Sequence, residues 1–149
     1  MRIYFVLLFC LIGIHQLFAQ DSLTVEIETG NLIVVIIGFE NSEGRARIGL
    51  SNSEELWEKR DTAYAGTITE IKNDSVRVTF ENIPFGEYGI KVHHDENGDN
   101  EMDTNFLGIP SENYGFSNNA SGSFGPPDWE DAKFEFIEDG QVHEINLDE

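Results

Sequence analysis

"SVRVTFENIPFGEYGIKVHH", Ser75 to His94, is the stretch that decides the fold. Apolar residues fall on every second position in both of its arms: Val76, Val78 and Phe80 before the centre, Tyr88, Ile90 and Val92 after it. A period of two places those side chains on one face of an extended strand, whereas a helix would space them by three or four. Between the arms, Pro84 presets φ and Gly86 permits φ > 0, the chemistry of a tight turn. The segment reads as strand, turn, strand.

The same period extends outward in both directions. "LTVEIET" alternates Leu23, Val25 and Ile27, and "NLIVVIIGF" is a nearly continuous β-branched run, suited to a strand buried on both faces or near a sheet centre. "RARIGLS" alternates again after the turn residues "NSEG". "SNSEELWEKR" carries helical signals, with Ser51 or Ser53 as cap and Glu54 and Glu55 in the first turn. "YAGTITEI" joins "SVRVTFENI" through the hairpin-type turn "KND", and "AKFEFIE" joins "QVHEINL" through "DG", the strongest short hairpin signal in the chain. Strands are expected near 22–28, 31–39, 45–51, 64–71, 75–82, 86–94, 132–138 and 141–147. This pattern is that of an all-β antiparallel β-sandwich of about seven or eight strands, with transthyretin-like and Ig-like arrangements both open.

The first residues stand apart from this pattern. "MRIYFVLLFCLIGIHQLFAQ" has one basic residue, an apolar run from Ile3 to Ile14 and a small residue at Ala19, the order of a secretory signal peptide. The expected organisation is a leader over 1–19 and one β-sandwich domain over 20–149, exported to the periplasm or the medium. Cys10 offers a lipoprotein signal as the alternative, but Phe9 before it is bulkier than that processing wants. The apolar run is shorter than the roughly 20 residues a bilayer span needs, so no transmembrane span is expected in the mature chain. Loss of the leader removes Cys10, the only cysteine, so the core must form without a disulfide. It also leaves eight Lys and Arg against 28 Asp and Glu, a formal charge of −20. Such a charge repels nucleic acid and anionic lipid.

The rhythm breaks from Asp95 to Glu130, where 36 residues have no strand or helix pattern. A loop of that length in a compact domain is functional or disordered. The aromatics and aliphatics here (Phe106, Leu107, Ile109, Tyr114, Phe116, Phe124, Trp129) argue for an ordered loop, 95–130, folded over the sandwich. Its first part, "DENGDNEMD", alternates oxygen-bearing residues: Asp95, Asn97, Asp99, Glu101 and Asp103. Alternating carboxylates and amides in a short loop are how Ca²⁺ acquires its six to eight oxygen ligands. The loop departs from an EF-hand in having glycine at Gly98, so that Asn100 must take the turn, and in having Phe106 where a bidentate Glu would stand. Glu112 or Asn105 is left as a candidate to complete the shell. A solvated Asx-rich turn is the competing reading. Tyr114, Phe116, Phe124 and Trp129 are either a surface on which a sugar or peptide stacks or a private core beneath the loop.

"VTFENIPFGEYGIKVHHDENGDNEMDTNFLGIPSENYGFSNNASGSFGPPDWEDAKFEF" resembles the bacterial secreted family catalogued as domain of unknown function 2141. The features carrying the resemblance are the Pro84–Gly86–Tyr88 turn, the acidic loop after His94, and the Gly108, Pro110, Glu112, Tyr114 to Ser117 segment, followed by Gly125 to Pro127. The resemblance implies a transthyretin-like or carboxypeptidase-regulatory-like sandwich, of a kind that binds, supports or connects rather than catalyses. The expected function is therefore a secreted, non-catalytic module with a Ca²⁺-binding acidic loop, acting on a protein or glycan of the cell envelope. The alternative is a metal-dependent hydrolase of envelope polysaccharide or peptide, drawing on Asp95, Asp99, Glu112, Asp128 and Glu130. Paired carboxylates work only at about 5 to 10 Å across a cleft. No Ser-His-Asp, Cys-His or H-E-x-x-H arrangement accompanies them.

Overall fold

The computed structural model describes residues 26–59, 62–123 and 125–148. The leader over 1–19 and Leu23 and Val25 of the first expected strand lie outside them. Residues 26–28 belong to no strand, so the described part of that strand is a correction. Eight strands follow: β1 Thr29–Ile37, β2 Arg45–Ser51, β3 Ala65–Glu70, β4 Ser75–Pro84, β5 Gly86–Asp95, β6 Tyr114–Phe116, β7 Phe134–Phe136 and β8 Val142–Asn146. They form two sheets, one in the order β4-β1-β8, the other β3-β2-β5-β6 with β7 also on β5. The all-β sandwich is therefore what the period-two runs build. One pair departs from the antiparallel expectation: β1 and β8 run parallel, from Ile33 opposite Val142 to Ile37 opposite Asn146.

β1 lies at the centre of its sheet, as its β-branched run implied, but alternates in burial. Leu32, Val34 and Ile36 face inward and are fully buried, while Ile33 and Val35 are half-buried on the outer face. The inner layer meets Ala46, Ile48 and Leu50 of β2 and Tyr88, Ile90 and Val92 of β5, with Phe136 and Ile145 closing the core. These inward rows are the alternations read in the sequence.

The connections are where local reading fails. "KND" and "DG" were expected to close hairpins, yet β3 and β4 lie in different sheets, as do β7 and β8. The turn chemistry is present (Asn73 and Asp74 have φ of 52° and 55°, Gly140 of 78°), but the chain crosses the sandwich at each. The Pro84–Gly86 turn is likewise a crossover. β4 pairs with β1 and β5 with β2, and the Tyr88 hydroxyl ties the corner by donating to Pro84 O at 2.7 Å. Burial pushes that hydroxyl up to about 12.

A second, smaller core covers the outer face of the β5 sheet. A helical turn α1, Glu54–Glu58, capped by Ser53 as expected, carries Trp57, and a second turn α2, Trp129–Ala132, carries Trp129. The two indoles lie 5.9 Å apart against Phe116 and Ala132. Gly89 of β5 forms the floor: a Cβ there would come within 2.8 Å of the Trp129 ring and 2.9 Å of the Trp57 ring. Lys91 lays its ammonium over the Trp57 ring and donates to Trp57 O and Lys59 O, and burial lowers its pKa.

Candidate functional site

β5 delivers the chain into the acidic loop at Asp95, which the strand register sets opposite Arg45 of β2. Asp95 is wholly buried. Its Oδ1 accepts from Gly98 N at 2.9 Å, and its Oδ2 has no hydrogen bond but lies 3.7 Å from Arg45 Nη2. The neighbouring Gly44 has φ 63°, and a Cβ there would come within 2.2 Å of Asp95 O, so the close approach requires glycine. Arg45 also donates to Gly98 O at 3.2 Å, and Arg47 to Asn100 Oδ1 at 2.6 Å. The counter-charge absent from the loop's own sequence thus arrives sideways from β2. Asn100 takes the left-handed turn expected of it, with φ 72°.

Within the loop, Asn97 is the hub. Its Oδ1 accepts from Asp99 N at 2.9 Å, and its Nδ2 donates to Asp99 Oδ2 at 3.1 Å and to Asp103 Oδ2 at 3.0 Å. Asp99 Oδ1 accepts from Glu101 N at 2.8 Å. Of the five residues read as metal ligands, Asn97, Asp99 and Asp103 therefore share one point. Asp95 sits at the base of the loop, and Glu101 contributes its backbone while its side chain is exposed. Among the described residues, no three His, Cys, Asp or Glu side chains are grouped closely enough to hold a metal.

Glu112, more distant in sequence, pins the loop. Oε1 accepts from Glu96 N at 3.0 Å; Oε2 accepts from Asp103 N at 2.9 Å and from His93 Nε2 at 2.7 Å. Burial alone would raise this carboxyl, but the two backbone N–H groups and His93 outweigh it and hold it below the ordinary range. His93 and His94 face opposite ways: His93 reaches Glu112, whereas His94 is buried, edge-on to Phe39, and donates to Glu43 O. The sequence carried a signal for the two arginines, because "RARIGLS" puts both on one face. It carried none for the register that brings them to this loop.

Beyond Asp103 the loop was expected to pack down, and its tip does not. Phe106 is 94% exposed, Leu107 68% and Ile109 55%. Asn105 holds the tip open: its Oδ1 accepts from Leu107 N and Ile109 N, its backbone O from Gly108 N, and its N–H donates to Ile109 O. Thr104 and Pro110 bridge at the base, and Ser111 N donates to Asp103 O. With these amides bonded inside the turn, the apolar side chains are displayed outward. The loop also contains a strand, β6, where none was expected.

The aromatic surface needs a further correction. Phe116 and Trp129 are buried in the second core and offer no ligand platform, because α2 and β6 fold them over Gly89. Phe124 lies outside the described residues. Tyr114 alone of the remaining three is open, 41% exposed, its ring 5.7 Å from Phe116 and edge-on to it. It lies beside a cleft of about 400 Å³ on the flank between β6 and β8.

No helix among the described residues is long and apolar enough to cross a membrane. Neither a curated protein nor a solved structure matches the chain. The resemblance carried by the β4–β5 crossover, the acidic loop and the β6 segment is substantiated across nearly the whole sandwich. The family described as "Uncharacterized protein conserved in bacteria (DUF2141)" matches residues 34–145, and the chain belongs to it.

Proposed function

We propose that this chain is an exported, non-catalytic binding module of the cell envelope, attached to a protein partner through the tip of its long loop. The observation that carries the reading is the tip itself, with Phe106, Leu107 and Ile109 held in solvent by bonds within the turn. Displayed apolar side chains are a liability unless they are covered. The partner that covers them is given by charge. From Val92 to Ala132 there is no Lys or Arg and there are nine Asp or Glu. An apolar socket rimmed by Lys and Arg fits; an anionic bilayer and a second copy of this chain are both repelled.

The experiment is retention. The double change Phe106→Ser and Leu107→Ser should reduce the fraction of exported protein recovered with the envelope by about tenfold, with a melting temperature equal to the parent's or slightly higher. Equal retention would remove the tip from the binding surface.

The acidic loop is proposed to hold Ca²⁺. Six carboxylates (Asp95, Glu96, Asp99, Glu101, Asp103, Glu112) stand against two guanidinium groups, of which Arg45 lies 3.7 Å from Asp95 and Arg47 donates to the neutral Asn100, which leaves the loop strongly negative. The Asn97 amide N–H₂ between Asp99 and Asp103 stands where a cation would, and turning that amide presents Oδ1 in its place. An extracellular site works with a Kd of roughly 0.1 to 1 mM, so about 1 mM Ca²⁺ contributes about 0.4 to 1.4 kcal/mol. The expected outcome is a rise of a few degrees in Tm on adding Ca²⁺, smaller for Mg²⁺ and absent in Asp99→Ala. The same melting curve in chelator and in Ca²⁺ would make the loop a plain acidic turn.

A further inference from the structure

We infer that the cleft between β6 and β8 is a second binding site, separate from the tip, that takes a short neutral saccharide. Its volume of about 400 Å³ is in the range of small-ligand sites and suits one or two pyranose rings. It lies where the edges of the two sheets meet, β6 on one side and the end of β8 on the other.

The lining is chemically mixed in the way a sugar is. The half-exposed ring of Tyr114 supplies an apolar face for the C–H side of a pyranose. The Ser121 hydroxyl both donates and accepts, and Asn146, whose Oδ1 accepts from Asp148 N at 3.1 Å, keeps its amide N–H₂ as a donor toward vicinal hydroxyl groups. Glu40 at the rim adds an acceptor. The strand and turn fix much of this wall. β6 holds Tyr114 opposite His93, and Asn119 Oδ1 accepts from Asn146 N at 3.0 Å.

Asn113, also in the lining, is incompletely bonded within the protein. Asn113 Oδ1 is buried with no hydrogen-bond partner, and Asn113 Nδ2 reaches Leu147 O only at 3.5 Å. Buried polar groups are nearly always satisfied, and an orphan acceptor is costly to leave so. The absence of Lys or Arg from Val92 to Ala132 disfavours uronic and sialic acids, so the saccharide is neutral.

The test uses the whole mature chain and a panel of neutral gluco-, galacto- and manno-configured disaccharides, plain and N-acetylated, with a uronic acid disaccharide as the charged control. Saturation-transfer NMR and calorimetry should detect at least one neutral member with a Kd of about 1 mM or below, and no uronic acid. Tyr114→Ala should weaken that binding about tenfold or more. Glu40→Ala, on a solvent-exposed residue, removes the rim acceptor without touching the core and should weaken the same binding. Phe106→Ser with Leu107→Ser should leave sugar binding intact, which separates this site from the tip. Silence across the neutral panel at about 10 mM overturns the inference, as does binding unchanged by both Tyr114→Ala and Glu40→Ala.

Discussion

Replacing Trp129 by Ala is expected to lower the unfolding free energy by about 3 to 5 kcal/mol. The indole is buried against Trp57, Phe116 and the floor that Gly89 leaves for it, so truncation removes a large apolar volume from a site that cannot collapse. It also loosens the segment around Pro127, whose carbonyl accepts from Trp57 Nε1 at 2.8 Å. Domains of this kind are stable by about 5 to 15 kcal/mol, so the loss is a large fraction of the total. For a chain of this size it amounts to about 10 to 20 °C in melting temperature. Tyr114→Ala is the control, since its ring is half in solvent and should cost far less. A Trp129→Ala protein that unfolds within about 1 kcal/mol of the parent would place the indole at the surface after all.

Glu112→Ala should be the most damaging change within the loop, at about 2 to 4 kcal/mol. It leaves the N–H groups of Glu96 and Asp103 and the His93 ring without their acceptor, and hydrogen bonds to a charged group are worth about 1.5 to 3 kcal/mol each when not additive with their neighbours. Glu112→Gln keeps an acceptor and should lose about half as much. The pH dependence gives the sign. The folded carboxyl titrates below the ordinary glutamate range, so its contribution is complete above that range and disappears as pH falls through the lower folded value. The difference between parent and Glu112→Ala should therefore be constant near neutrality and shrink below about pH 4.5. Faster hydrogen exchange at the Glu96 and Asp103 amides is the local readout. A Glu112→Ala protein with unchanged stability and exchange would show that the loop holds itself.

Most of the sandwich was legible because burial on one face of a strand leaves a period-two trace in the residues themselves. Leu32, Val34 and Ile36, or Tyr88, Ile90 and Val92, report their own environment, as does Ser53 at its helix start. The turns were legible as turns for the same local reason: Asn73, Asp74 and Gly140 adopt the conformations their residue types favour. What those residues cannot encode is which strand lies beyond the turn. "KND" and "DG" have hairpin chemistry, yet each feeds a crossover, because pairing is decided by which apolar face meets which across the whole core. β6 escaped notice for a related reason. Three residues are too few for a period, and Gly115 is required there because Leu147 and Ile145 press where a side chain would be.

The acidic loop divides in the same way. Its composition alone established a concentration of oxygen-bearing side chains and a left-handed turn at Asn100. Only the tertiary structure decided where counter-charge meets it, since Arg45 and Arg47, some 50 residues earlier in the chain, are brought alongside by the β2–β5 register and offset part of it. It likewise decided the fate of the apolar residues that follow. Hydrophobicity put Trp129 and Phe106 in one class, but the two end on opposite sides of the surface. α2 and Gly89 make a cavity of the right shape for one, while the Asn105 turn uses up the amides that would otherwise let the other fold inward. Local chemistry sets what a segment can be; long-range register and shape decide what it touches.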